Sequence, residues 1–119
     1  MLVIARYMRV LSDDLCRRIS GCAINIHHSF LSSFNGARQY ARAHNRGDKI
    51  SGRTAHCMTA DLDEGPIREQ DVVHITHAKD ACALADRGRD VEGAVLALTV
   101  PWHADHNILL NDTKPVVFA

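Results

Sequence analysis

Residues 23–37, AINIHHSFLSSFNGA, place Asn25, His27 and His28 where an apolar, strand-like run gives way to a glycine-bearing loop. In a strand, residues two apart share a face, so Asn25 and His27 project together while Ile24 and Ile26 project to the other side. An amide beside an imidazole suits acyl chemistry. The Asn25 NH₂ group donates to a developing oxyanion, and His27 gives a proton to a reacting heteroatom or takes one from it. A carboxylate would complete the set, and Asp63 in DLDEGP, expected on a loop after a parallel strand, is the candidate. His56, seven residues before Asp63, is placed to hydrogen-bond it as a supporting group. In open α/β sheets ligands bind beyond the carboxyl ends of the strands, which is where this constellation falls. The same residues also admit a plain reading: His27 as a satisfied loop or core histidine, DLDEGP as a solvated turn punctuated by Gly65 and Pro66. Spacing alone does not choose between the two.

The remaining histidines do not make a metal site. His74 and His77, like His103 and His106, are three apart. The first pair falls at a strand end, where that spacing points to opposite faces, and neither pair has a cysteine or carboxylate set to complete a zinc shell. No metal is expected. Cys16, Cys22, Cys57 and Cys82 form no CxxC pair and read as reduced, buried thiols among apolar neighbours rather than a disulfide framework.

Elements that must position these groups follow from periodicity and punctuation. Leu2 to Ala5 reads as a buried strand, and Ser12 as the N-cap of a short helix through Arg18. Cys22 to Ile26 is a second strand. Gly36 or Ala37 to Asn45 is an amphipathic helix closed by Gly47, and Gly52 to Met58 a third strand. IREQDVVHI is a further strand candidate, and Lys79 to about His103 the longest helical stretch, with Pro101 marking its last turn or a kink. The tail ILLNDTKPVVF reads as a hairpin around Asn111 and Asp112. Alternating strands and helices point to an α/β fold.

Bulk properties narrow the partners. The 119 residues are 46% hydrophobic, enough for one domain with a core, and 14 Lys+Arg balance 14 Asp+Glu. That neutrality disfavours nucleic acid or an acidic membrane surface as a partner. The start, MLVIARYMRV, lacks the pattern of a signal peptide, and no run approaches the roughly 20 apolar residues of a membrane helix. A cytoplasmic protein is expected.

The runs LVIARYMRVLS, INIHHSFLSSFNGARQYARAH, GRTAHCMTADLDEGPIREQDV, RGRDVEGAVLA and NDTKPVVF resemble the C-terminal part of the formyltetrahydrofolate deformylase family, within the 10-formyltetrahydrofolate-dependent formyltransferase superfamily. His28 followed by Ser29 and Phe30 resembles the deformylases, where glycinamide ribonucleotide formyltransferases typically carry proline and methionyl-tRNA formyltransferases glycine. The resemblance matches the family's catalytic Asn, His and Asp to Asn25, His27 and Asp63, with His56 supporting Asp63. It implies that Tyr7, Met8, Arg9, Val10 and Leu11, with Thr59, Ala60, Asp61 and Leu62 and the loop to Asp63, border the pterin of a folate substrate. The implied reaction is hydrolysis of 10-formyltetrahydrofolate to tetrahydrofolate and formate, with no cofactor beyond substrate and water, supplying formate for purine biosynthesis.

Ser32, where the family usually has proline, Asn35, where lysine is common, and Pro101 depart from the family pattern. The resemblance also implies a partial, mostly parallel, doubly wound sheet with a C-terminal helix and hairpin. Residues 1–119 then form the C-terminal portion of a formyltransferase-like domain, without its N-terminal half and the ACT-type regulatory domain. Leu2 to Ala5 would lack a neighbour, an association hazard that calls for a homo-oligomer or a separately supplied N-terminal half. Two other readings stay open: a catalytically silent remnant that binds folate or self-associates, and a formyltransferase using the same donor.

Overall fold

A computed structural model describes residues 1–7, 9–28, 39–59 and 65–118. Four strands, β1 (Leu2–Ala5), β2 (Ala23–His27), β3 (Ile50–Cys57) and β4 (Ile67–His74), form one sheet in chain order. The helices are α1 (Asp13–Ile19), α2 (Gln39–Arg46) and α3 (Ala81–Ala104), and β5 (Ile108–Asn111) pairs with β6 (Lys114–Val117) as a separate hairpin. The α/β class, the long helix and the terminal hairpin are as expected. The sheet is not mostly parallel: β1 and β2 run parallel, whereas β2–β3 and β3–β4 are antiparallel. The connection at residues 58–66 is too short for the crossover of a dozen or more residues that a parallel neighbour requires, so β4 must return antiparallel to β3.

Local signals set the element ends. Ser12 caps α1, its Oγ accepting from the Leu15 N–H at 3.3 Å, with Asp13 and Asp14 in the first turn and Arg17 and Arg18 in the last, complementing the helix dipole. Gly47 closes α2 at φ +78°, a left-handed value that glycine adopts without strain. The expected start of α2 at Gly36 or Ala37, and the departures Ser32 and Asn35, lie outside the described residues. Asp80 caps α3 by accepting from the Ala83 N–H at 2.8 Å. Pro101 falls in the last turn of α3, where the helix ends three residues later at Ala104.

The buried residues of α3 are Leu84, Gly88, Glu92, Val95 and Thr99, a stripe at spacings of three and four. Val95 packs with Ile24, Ile26 and Ala55, and Leu84 with Ala43 and Ile75. Gly88 is required by close approach, because a Cβ there would collide with the Tyr40 hydroxyl and an Arg53 guanidinium nitrogen. One strand differs from expectation in burial. Leu2 and Val3 of β1 are 45% and 39% exposed, because β1 lies at the sheet edge with β2 on one side. Two cysteines do likewise: Cys16 and Cys57 are buried, but Cys22 and Cys82 are exposed, and all four are free thiols.

Candidate functional site

β2 shows the alternation its sequence requires: Ile24 and Ile26 are buried against α3, while Asn25 and His27 are partly exposed on the opposite face. The antiparallel register sets Asn25 opposite His56 and His27 opposite Thr54, so four polar side chains share one face of two strands. His56, 1% exposed, is anchored by Nδ1 at 2.9 Å from the Cys57 carbonyl, and its Nε2 lies 3.3 Å from Asn25 Nδ2. A carbonyl only accepts, so Nδ1 carries the ring proton and the Nε2 lone pair accepts from the Asn25 amide. That bond fixes which way the amide points. Gln70 Nε2 donates to Thr54 Oγ1 at 2.9 Å and extends the polar row to β4.

Asp63 and its neighbours Ala60, Asp61 and Leu62 lie outside the described residues. The expected route for Asp63 needs correction all the same. β3 is antiparallel to β2, so its C-terminal end lies beside the start of β2, where the Met58 N–H bonds the Ala23 carbonyl at 3.1 Å. The loop therefore does not leave from the same sheet end as His27. It returns through Gly65, which packs so tightly on the Cys57 carbonyl that a Cβ would overlap it, with His56 Nδ1 3.3 Å from that Cβ position. A one-residue irregularity follows, since His56 faces Ile67 but Ala55 faces Glu69, and the intervening Arg68 donates from Nε to Cys57 Sγ at 3.0 Å. Among the described residues His56 meets Asn25; the Asp63 it is expected to support lies outside them.

Of the expected substrate border, Tyr7, Arg9 and Val10 are exposed and Leu11 half-buried just beyond the carboxyl end of β1, and Thr59 is half-buried after β3. Met8 lies outside the described residues. Among the described residues no group of three or more His, Cys, Asp or Glu side chains is placed to hold a metal ion, and no helix is long and apolar enough to cross a membrane.

Sequence reasoning missed a second constellation on the opposite face of the sheet. Glu92, 5% exposed, accepts from Arg6 Nε at 3.3 Å through Oε2, and its Oε1 lies within ion-pair distance of His28 Nδ1 at 2.5 Å and Arg53 Nε at 3.6 Å. Arg53, 0% exposed, donates to the Ser51 hydroxyl at 3.1 Å, the His28 carbonyl at 2.5 Å, the Gly52 carbonyl and the Tyr40 hydroxyl, and its guanidinium lies 4.8 Å from the Tyr40 ring centre. Burial alone would raise the Glu92 carboxyl pKa; the hydrogen bond and charge of His28 and those of Arg6 outweigh it and hold the group below its ordinary 4.5. Burial likewise pushes the Tyr40 phenol up. The signal was present: Glu92 occupies a position on the buried stripe of α3 where an apolar residue belongs.

Comparison with known proteins agrees with this architecture. The sequence pattern described as formyl transferase matches residues 1–100. Formyltetrahydrofolate deformylase of Synechocystis sp. is 50% identical over 119 residues, all of this chain and 42% of the relative; that of Bacillus subtilis is 46% identical over 118 residues, 99% of this chain and 39% of the relative. The crystal structure of a formyltetrahydrofolate deformylase from Pseudomonas putida matches with a TM-score of 0.90 at 47% identity, over 99% of this chain and 42% of that one. Phosphoribosylglycinamide formyltransferase from Anaplasma phagocytophilum matches with a TM-score of 0.90 at 30% identity, over 100% and 59%. This chain spans about two-fifths of the length of the curated relatives it matches. With the pattern covering residues 1–100 of 119, the chain belongs to the formyl transferase family.

Proposed function

We propose that this chain carries the catalytic segment of a formyltetrahydrofolate deformylase, which hydrolyses 10-formyltetrahydrofolate to tetrahydrofolate and formate. The observation that carries the reading is the shared face of Asn25 and His27, with the Asn25 amide oriented by His56 Nε2 at 3.3 Å. One N–H of that amide meets His56, and the other serves a tetrahedral oxyanion. Water attacks the formyl carbon, and Asp63 takes or relays its proton. Asn25 and protonated His27 stabilise the oxyanion, and His27 delivers a proton to N10 as the carbon–nitrogen bond breaks and formate leaves. Gly65, two residues after Asp63, is packed against Cys57 and His56, which supports delivery of the acidic loop to this face.

Tyr7 to Leu11 and Thr59 to Leu62 border the folate in this reading. No metal or cofactor beyond substrate and water takes part. The setting is cytoplasmic, with formate supplied to purine biosynthesis. The half-exposed edge of β1 calls for an N-terminal half or a second copy to complete the sheet.

The test is formate release from 10-formyltetrahydrofolate by the 119-residue chain, alone and mixed with the N-terminal remainder of a deformylase relative. Turnover that falls about 10²- to 10³-fold in Asn25→Ala, the cost of losing one oriented oxyanion donor, and collapses in His27→Ala is the expected result. A folded sample that releases no formate in either assembly would make the chain a silent folate-binding remnant. Release only with an amine acceptor would make it a transferase.

A further inference from the structure

We propose that Glu92 is a positioning residue: one buried carboxylate on α3 that holds the backbone of the catalytic histidine and the opening of the substrate border in a single arrangement. The inference rests on the deformylase reading for what is being positioned, and on geometry of its own for how.

His27 and His28 are adjacent, so in the strand's alternation they face opposite ways. His27 lies on the face shared with Asn25, and His28 is turned to α3, with Nδ1 2.5 Å from Glu92 Oε1. Arg53 Nη1 donates to the His28 carbonyl at 2.5 Å, and Arg53 Nε lies 3.6 Å from the same Glu92 oxygen. The residue following His27 is thereby held by both its side chain and its carbonyl.

The second Glu92 oxygen, Oε2, takes Arg6 Nε at 3.3 Å. Arg6 immediately follows β1 and sits at φ +58°, a left-handed conformation that a residue other than glycine keeps only where its surroundings impose it. It also immediately precedes Tyr7, the first residue of the expected pterin border. β1 and β2 are the parallel pair, so Arg6 and His28 leave the same end of the sheet, and the two oxygens of one carboxylate tie the two exits together. The buried stripe of α3 otherwise carries Leu84, Gly88, Val95 and Thr99, and a packing role alone would be met by an apolar side chain.

Hydrogen exchange and steady-state kinetics on Glu92→Gln test this, with Leu84→Ala as a control that weakens the other core cluster and touches neither exit. The expected result in Glu92→Gln is exchange accelerated about tenfold or more at residues 5–7 and 26–28 together, with β5–β6 unchanged. Whichever assembly turns over should lose about tenfold or more in kcat and show a raised KM. Glu92→Asp, which keeps the charge on a stem one methylene shorter, should recover part of both. Acceleration spread evenly over the sheet as in Leu84→Ala, or confined to one exit, would overturn the proposal. Absence of turnover in the unsubstituted protein would instead overturn the deformylase reading, while the exchange pattern still decides whether Glu92 joins the exits.

Discussion

The two faces of β2 and β3 organise polar groups by opposite means. On one face, Asn25, His27, Thr54 and His56 form a row set by strand register, with a neutral amide–imidazole contact of 3.3 Å between Asn25 and His56 backed by a backbone carbonyl. On the other, Glu92, His28 and Arg53 form an ionic cluster under α3 that half-exposed Arg6 joins from the rim, its link to Glu92 tying residues 86 apart in sequence. The first runs from the buried Thr54 and His56 to the partly exposed Asn25 and His27. The second exists only because α3 covers it. Groups that must meet substrate are therefore held by short-range register, and the central charges, Glu92 and Arg53, sit where solvent screens them little.

The largest break in this comparison is Glu92→Ala. Removing one partner from a buried, paired cluster leaves the others uncompensated, and the expected loss is about 3–5 kcal/mol in urea-unfolding free energy. Acid should approach the same result without mutation. The folded Glu92 pKa lies below its ordinary 4.5, so its stabilising contribution is full above that value and disappears as pH falls through the depressed folded pKa. A stability profile of Glu92→Ala lacking this acid-dependent decline, against an unsubstituted chain that shows it, is the expected outcome. Equal slopes would mean that the carboxyl is not held as described.

His56→Ala should cost less. It leaves the Asn25 amide and the Cys57 carbonyl short of a partner inside the sheet, at about 1–3 kcal/mol for a buried polar group left unsatisfied. The accompanying drop in turnover should approach that of Asn25→Ala, because the amide is free to flip once Nε2 no longer accepts from it. An Asn25 amide that keeps its orientation in His56→Ala, read from its side-chain NMR signals, would show that register alone sets the row.

The same contrast explains what the sequence disclosed. Period-two alternation in INIH placed Asn25 and His27 on one face, because a strand's side-chain direction depends only on its own backbone. The N-cap at Ser12, the stop at Gly47 and the terminal hairpin were equally local. The direction of β3 was not, since it depends on how the chain returns after α2, and assuming a parallel strand misplaced the departure point of the Asp63 loop. The register of His56 opposite Asn25 likewise becomes visible only once β3 is known to run antiparallel. The ionic cluster needed still more: only the packing of α3 on the sheet brings Glu92 to residues 6 and 28, and a charge on the buried stripe was its sole advance sign.

The smallest effect should come from a charge pair that lacks burial. Arg89 and Asp86 form an ion pair on the outer side of α3, three residues apart, with side chains 53% and 58% exposed. Water and salt screen such a pair, and holding two long side chains in one geometry offsets much of the remaining attraction, so Arg89→Ala should change the unfolding free energy by no more than about 0.5 kcal/mol. The same helix then carries two carboxylate–cation contacts that differ by about an order of magnitude in what they contribute, Glu92 facing the sheet and Asp86 facing solvent. If urea unfolding found Arg89→Ala as costly as Glu92→Ala, charge number rather than burial would govern α3, and the division of labour between the two faces of the sheet would lose its physical basis.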